Sequence, residues 1–234
     1  MNDCQIARRT GIPRRTVVDW RRHGGQHHGY GKNDQASEEP DGLCPICRQG
    51  SLNSVQYAYL LGIYLGDGCL SACPRGVFRL RITLDLRYPG IIDECIKAVT
   101  AMKPTMKVGR VKRVGCVEVA AYWKHWPCLF PQYGSGPKHL RTIALVPWQQ
   151  EIADAYPADL LRGLNSDGWR GVNCVKGKPY PRYNFTNNSS EIRNVFCKAC
   201  DRYGVAWRQM NWKTISVARR PDVARLDSII GPKS

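Results

Sequence analysis

Tyr57-Ala58-Tyr59-Leu60-Leu61-Gly62-Ile63-Tyr64-Leu65-Gly66-Asp67-Gly68 is the stretch on which the fold of this chain turns. It reads as a short hydrophobic helix closing on a carboxylate beside a glycine. Gly62 and Gly66 stand at i and i+4, where small residues let a second helix come close. One hundred positions later, Leu160-Leu161-Arg162-Gly163-Leu164-Asn165-Ser166-Asp167-Gly168 repeats the arrangement. Asn53 with Gln56 predicts a capping box at the start of the first helix, and Pro157 suits the first turn of the second.

The segments C-terminal to the two helices also match. After Asp67 come a strand-like stretch from Val77 to Leu84, a helix from Ile91 to Met102 and strands near Lys107 to Val114 and Cys116 to Tyr122. After Asp167 come strand-like Val172 to Lys176 and Arg182 to Thr186, then a helix from Ser189 to Tyr203. Strands near Val205 to Met210 and Thr214 to Ala218 come next, then a last helix closed by Gly231-Pro232. The predicted class is α+β: tandem pseudo-twofold αββαββα repeats forming a β-saddle for DNA, behind a small N-terminal helix-turn-helix. The expected divisions are a helix-turn-helix over 1–23, a linker with a zinc knuckle over 24–54, and repeats over 55–150 and 151–234.

Strand alternation separates a core face from a polar one. Phe78, Leu80, Ile82 and Leu84 share one side of their strand; Arg79, Arg81, Thr83 and Asp85 share the other. In the second repeat Tyr183 and Phe185 alternate with Arg182, Asn184 and Thr186. The charge follows the same division. The 234 residues hold 35 Lys and Arg against 19 Asp and Glu, a net charge of +16. Residues 1–54 carry 8 basic and 6 acidic residues, and residues 55–234 carry 27 and 13. The surplus therefore belongs to the duplicated part and points to a polyanion. Arg79, Arg81, Arg110, Lys112, Lys138, Arg170, Arg182, Asn184 and Arg208 are the expected contacts to duplex DNA from this part.

Hydrophobic residues make up 43% of the chain, too many for a disordered tail. The longest apolar stretch, Leu60 to Leu65, is too short to cross a bilayer. Met1-Asn2-Asp3-Cys4 shows no basic-then-apolar signal region, so a cytoplasmic, nucleoid-associated protein of bacterial type is expected. Eleven irregularly spaced cysteines argue for reduced thiols or a metal site, not a disulfide framework.

The N-terminal segment Ile6 to Arg22 has a helix-turn-helix pattern, with Gly11 at the turn and Val17 and Trp20 on the buried face of the second helix. Arg14, Arg15 and Thr16 would project from that helix toward a DNA groove. Cys44-Pro45-Ile46-Cys47 is a C-x-x-C knuckle of the kind that grips zinc through two thiolates. His27 and His28 are the nearest further ligands, with Cys4 and His23 behind them. Cys197 and Cys200 share a spacing with this knuckle, but Cys200 falls on an apolar helical stripe and reads as core.

Leu60 to Gly68 resembles the signature helix of the LAGLIDADG homing endonucleases, and Leu161 to Gly168 resembles its second copy. The likeness covers roughly residues 55–232. It implies a monomeric, site-specific double-stranded DNA endonuclease in which Asp67 and Asp167 meet at the helix interface and hold two or more Mg²⁺ ions. It also implies a role near the active centre for Lys213. The second copy departs from the pattern: Gly62 to Asp67 is five positions, Gly163 to Asp167 only four, a rotation of about 100° on an ideal helix. Either a tighter turn restores Asp167, or one half-site is misplaced, which leaves a nickase or an inactive DNA binder. A non-catalytic DNA-binding transcriptional regulator with a degenerate LAGLIDADG domain is the alternative, and an RNA-processing protein of the same fold is a third.

Overall fold

The computed structural model describes residues 3–10, 18, 44–166 and 169–231. The chain divides into two units, Met1–Glu38 and Glu39–Ser234. In the first, helix α1 (Asp3–Thr10) is present where the helix-turn-helix reading places its first helix, and Thr10 Oγ1 donates to the Ile6 carbonyl at 2.7 Å. Of the second helix of that reading only Val18 is described, as helical; Arg14, Arg15 and Thr16 lie outside the described residues, as do His27 and His28.

The second unit opens on α2 (Ser54–Asp67), started by the Asn53 side chain, which accepts from the Gln56 N–H at 3.1 Å. Every residue from Tyr57 to Leu65 is buried, so the helix is apolar all round, not along one stripe. Strands β1 (Gly68–Cys73) and β2 (Val77–Asp85), helix α3 (Pro89–Met102), strands β3 (Val108–Lys112) and β4 (Cys116–Trp123) and the short helix α4 (Trp126–Leu129) complete the first repeat. Helix α5 (Pro147–Ala155) bridges to the second, which runs α6 (Pro157–Leu164), β5 (Trp169–Val175), β6 (Lys178–Thr186), α7 (Ser190–Tyr203), β7 (Arg208–Asn211), β8 (Thr214–Val217) and α8 (Arg220–Ile230). The two antiparallel sheets have the same order, β1-β2-β4-β3 and β5-β6-β8-β7. This is the α+β duplication expected from the repeated pattern. β1 is an addition: Gly-Cys-Leu-Ser-Ala-Cys has no β-branched residue, and it is a strand because it pairs with β2.

The repeats meet where α2 crosses α6. A β-carbon added at Gly62 would lie 2.5 Å from the Leu160 carbonyl oxygen and 2.7 Å from the Leu164 nitrogen. One added at Gly163 would strike the Tyr59 carbonyl and come 3.1 Å from the Gly62 α-carbon. Backbone therefore rests on backbone, and glycine is the only residue that fits on either side. Gly62 and Gly163 make this crossing, rather than the Gly66 and Ser166 spacing also present in the two motifs. One core runs through both repeats, including Cys95 and Cys200, each fully buried as the helical stripes predict.

Two polar devices brace the crossing. Tyr57 donates to the Leu129 carbonyl at 2.6 Å and accepts from Gln149 Nε2 at 2.7 Å, while Gln132 Nε2 donates to Gln149 Oε1 at 2.5 Å. Arg162 of α6 reaches Glu94 of α3 at 3.0 Å and lies over the Tyr59 ring.

Alanine outranks glycine by about 1 kcal/mol in helix propensity, so the sign of a glycine replacement reports the crossing. Gly62→Ala and Gly163→Ala are each expected to lower the unfolding free energy by at least about 1–3 kcal/mol through overpacking. Gly109→Ala, whose β-carbon would meet only the Ala120 carbonyl at 3.7 Å, should stay within about 0.5 kcal/mol of wild type. Urea melts of the three variants check this.

Candidate active site and nucleic-acid interface

Asp67 is the last residue of α2, half-buried where the chain turns into β1. Helix C-termini carry partial negative charge on their unpaired carbonyls, so a carboxylate there concentrates negative potential. A cation answers it. The Lys138 ammonium donates to the carbonyls of Tyr64, Leu65 (3.0 Å) and Gly66 (3.4 Å) and sits 4.8 Å from the centre of the Tyr64 ring. Beneath, burial first and the Asp67 charge second push the Cys95 thiol well above its usual range.

Asp67 lines an open cleft of about 530 Å³. One wall is Leu65–Leu70 with the loop carrying Gly134, Lys138, His139 and Arg141; the other is Thr186, Asn187, Asn188 and Ile192 of the second repeat. Both repeats thus contribute to one cleft. On the second side α6 stops at Leu164. Asn165 N–H donates to the Leu161 carbonyl at 2.9 Å, and the N–H and hydroxyl of Ser166 both donate to the Gly163 carbonyl, at 3.3 and 2.8 Å. The Ser166 bond is of the tighter i→i−3 type, so the helix closes on a 3₁₀-like turn. Asp167 and Gly168, the next two residues, lie outside the described residues.

Register decides which basic residues share the polar faces. Residues directly opposite in an antiparallel ladder point the same way. In the first sheet Arg79 stands between Ser71 and Tyr122, and Arg81 between Cys69 and Ala120. Arg79 is partly neutralised there by Glu118 at 3.1 Å. In the second, Arg182 stands opposite Gly171, Asn184 opposite Ser216, and Ser216 opposite Arg208. A groove of about 710 Å³ on this face is lined by Arg182, Arg208, Arg219, Trp207, Met210 and Ser216, among others, and by no carboxylate. Arg182 Nε, Asn184 Oδ1 and Ser216 Oγ are buried here without a hydrogen-bond partner.

Three expected contacts fall on the opposite, helix-covered side. Arg110 pairs with Val119 and Lys112 with Val117, both core positions, and Arg110 binds Asp93 of α3 at 2.5 Å. Arg170 pairs with Tyr183 and grips Asp227 of α8 through two hydrogen bonds, 2.6 and 2.8 Å. Parity is the reason: a strand's charged residues divide between its faces by their register with the partner strand, whatever their number.

No family model matches the chain, and no curated protein does. Among solved structures, I-DmoI in complex with DNA and Mn aligns at a TM-score of 0.51 and 17% identity, over 76% of this chain and 98% of that one. A variant of I-DmoI with its target DNA and Mn aligns at 0.50 and 16%, over 76% and 95%. The fold is that of the LAGLIDADG homing endonucleases.

Within the LAGLIDADG fold the remaining expected residues take these places. Lys213 is in the β7–β8 turn. Its carbonyl accepts from the Asn187 N–H at 3.0 Å, next to the cleft wall, and its ammonium lies over the Trp212 ring. Lys138 faces the end of α2. Cys44 and Cys47 do lie together, and the residues beside them are His125, at the start of α4, and Cys128, within it. His27 and His28, the further ligands expected from the sequence, lie outside the described residues. Burial and the neighbouring thiols Cys44 and Cys47 push the Cys128 thiol up to about 12, and burial with Arg48, Lys103 and Lys124 holds His125 below its usual range. The signal for the second pair is present in sequence, since His125-Trp126-Pro127-Cys128 repeats the i, i+3 spacing of the knuckle. No described helix is long and apolar enough to cross a membrane.

The Arg170 hydrogen bonds hold the Asp227 carboxyl below its ordinary value. A depressed carboxylate stabilises the fold above its unfolded-state pKa, about 3.9, and that contribution is lost as pH falls through the lower folded value. Asp227→Asn should therefore melt below wild type at pH 6, with the gap closing as pH falls below about 4. Paired thermal melts across that range measure it.

Proposed function

We propose that this protein is a monomeric, metal-dependent, site-specific endonuclease of double-stranded DNA. The observation that carries the proposal is the placement of Asp67: a carboxylate at a helix C-terminus, in a cleft walled by both repeats, flanked by sheets whose polar faces bear arginine. The neighbour structures named above hold I-DmoI with DNA and Mn.

Each group then has a physical task. Arg81, Arg182 and Arg208 neutralise backbone phosphates, and Asn184 and Ser216, buried without partners, are satisfied by groove edges when DNA covers them. The helix-turn-helix, through Arg14, Arg15 and Thr16, adds a second contact to the same duplex. Asp67 and Asp167 would hold Mg²⁺. Asp67 fits that role, because a carboxylate at a helix end offers hard oxygens where negative potential is concentrated. The ion, when bound, polarises the scissile phosphate and lowers the pKa of the attacking water. Lys138 holds the last turn of α2 so that Asp67 keeps its position, and Lys213, whose backbone carbonyl accepts from the cleft-wall residue Asn187, would offset developing charge.

A second reading rests on α6 ending at Leu164, whereas α2 stays helical to Asp67. The two halves of the centre are unequal, which favours cutting one strand faster than the other. In the extreme the chain binds without cutting and acts as a regulator.

The test is cleavage of a randomised duplex library in Mg²⁺, with binding measured in Ca²⁺. Wild type is expected to cut, and Asp67→Asn to lose at least about 100-fold in rate, several kcal/mol of charge stabilisation, while still binding. Asp167→Asn separates the readings: equal loss on both strands means a shared centre, and loss on one strand means a nicking half-site. Tight binding with no cleavage by wild type establishes the regulator instead.

The face assignment has its own readout. Arg182→Gln and Arg208→Gln should each reduce the slope of log affinity against log salt by about 1. Arg110→Gln and Arg170→Gln, on the helix side, should leave it unchanged. Fluorescence anisotropy over a salt series supplies the slopes.

A further inference from the structure

We infer that Cys44, Cys47, His125 and Cys128 form a structural zinc site that staples the chain ahead of α2 to α4. The four ligand atoms lie within 4.8 Å of one another. Cys47 Sγ is 3.2 Å and Cys128 Sγ 3.9 Å from His125 Nδ1. Tetrahedral zinc, with Zn–S near 2.3 Å and Zn–N near 2.0 Å, separates its ligands by about 3.5–3.8 Å. The cluster is therefore close to the size the ion requires.

The two pairs sit on the local frames that such sites use. Cys44 and Cys47 sit in a tight loop, closed just beyond them by the Arg48 and Gly50 N–H groups, which both donate to the Cys44 carbonyl, at 3.0 and 3.2 Å. His125 and Cys128 open α4, where the Cys128 N–H donates to the His125 carbonyl at 3.0 Å. Between them Trp126 is fully buried and donates to the Ala121 carbonyl at 3.1 Å, and Trp123 meets the His125 ring edge-on at 5.3 Å. Three thiolates and a neutral imidazole leave a zinc site with a formal charge of −1. The positive charges of Arg48, Lys103 and Lys124, which act on His125, offset it.

Four protein ligands close the coordination sphere, which marks a structural site, not a catalytic one. None of the four lines the Asp67 cleft. The need for a staple is local: of residues 44–50 only Cys44 is buried, too little apolar area to hold the loop by packing. The far side of the staple is tied to the helix crossing, since Phe130, just past α4, stacks on Tyr64 at 4.0 Å.

The test uses the full chain, purified without chelators, and is independent of DNA cleavage. Elemental analysis should find about one zinc per chain. His125→Ala and Cys128→Ser should each lower zinc content at least fivefold, as should Cys44→Ser, while Cys174→Ser, an exposed cysteine outside the cluster, keeps it. Because a ligand variant can misfold, wild type stripped of zinc and reloaded with Co²⁺ supplies a second readout. It should show the intense visible bands of tetrahedral cobalt with thiolate ligands, and its melting midpoint should recover with one equivalent of metal. Wild type with negligible zinc and no cobalt bands overturns the assignment. So does full zinc in His125→Ala and Cys128→Ser, or a Cys44–Cys47 disulfide in the peptide map.

Discussion

The backbone contact between Gly62 and Gly163 is the constraint on which the rest depends. With no β-carbon on either side, α2 and α6 approach until carbonyl and amide groups touch, and dispersion between the two backbones replaces side-chain packing. That close approach holds the two repeats against each other along the helix pair. It draws the sheets of both repeats around a common cleft and merges two small cores into one. The buried Tyr57–Gln149–Gln132 network then braces α2 against α5, since its polar atoms would lose their partners if the helices slid, while the part-exposed Arg162–Glu94 pair ties α6 to α3.

Much of this was legible in the sequence, for physical reasons that can be named. The duplicated apolar helices, the capping residue Asn53 and the alternation along β2 and β6 are local signals, and local signals survive into the fold. The register of β3 against β4, and of β5 against β6, is not local. Arg110 and Arg170 look equivalent to Arg81 and Arg182 by composition, yet pairing turns them to the helix side, where Asp93 and Asp227 receive them. Charge composition identifies a polyanion-binding chain; only the ladder tells which charges face outward.

The candidate site divides in the same way. Asp67 is readable because its motif is contiguous. The role of Lys138 is not, since 71 positions separate it from Asp67 and its function is to answer a helix end that exists only after folding. His125 and Cys128 were hidden by distance alone: proximity to Cys44 along the chain favours His27 and His28, while the hairpin β3–β4 returns a matching pair from much farther along. Asymmetry between the motifs was visible as a count of residues, and the structure converts it into a specific closing turn at Asn165 and Ser166.

Strand parity carries one more consequence, for how such a chain can change over generations. Residues on the polar faces of β2 and β6 can be exchanged one at a time without touching the core, so that surface is free to explore new partners by substitution. A single inserted or deleted residue inside either strand would instead exchange the two rows wholesale, sending arginine inward and leucine or phenylalanine out. The same architecture is therefore permissive to replacement and brittle to length change, and variation in length is confined to hairpin tips such as Arg75-Gly76 and Lys176-Gly177, where both residues already adopt positive φ.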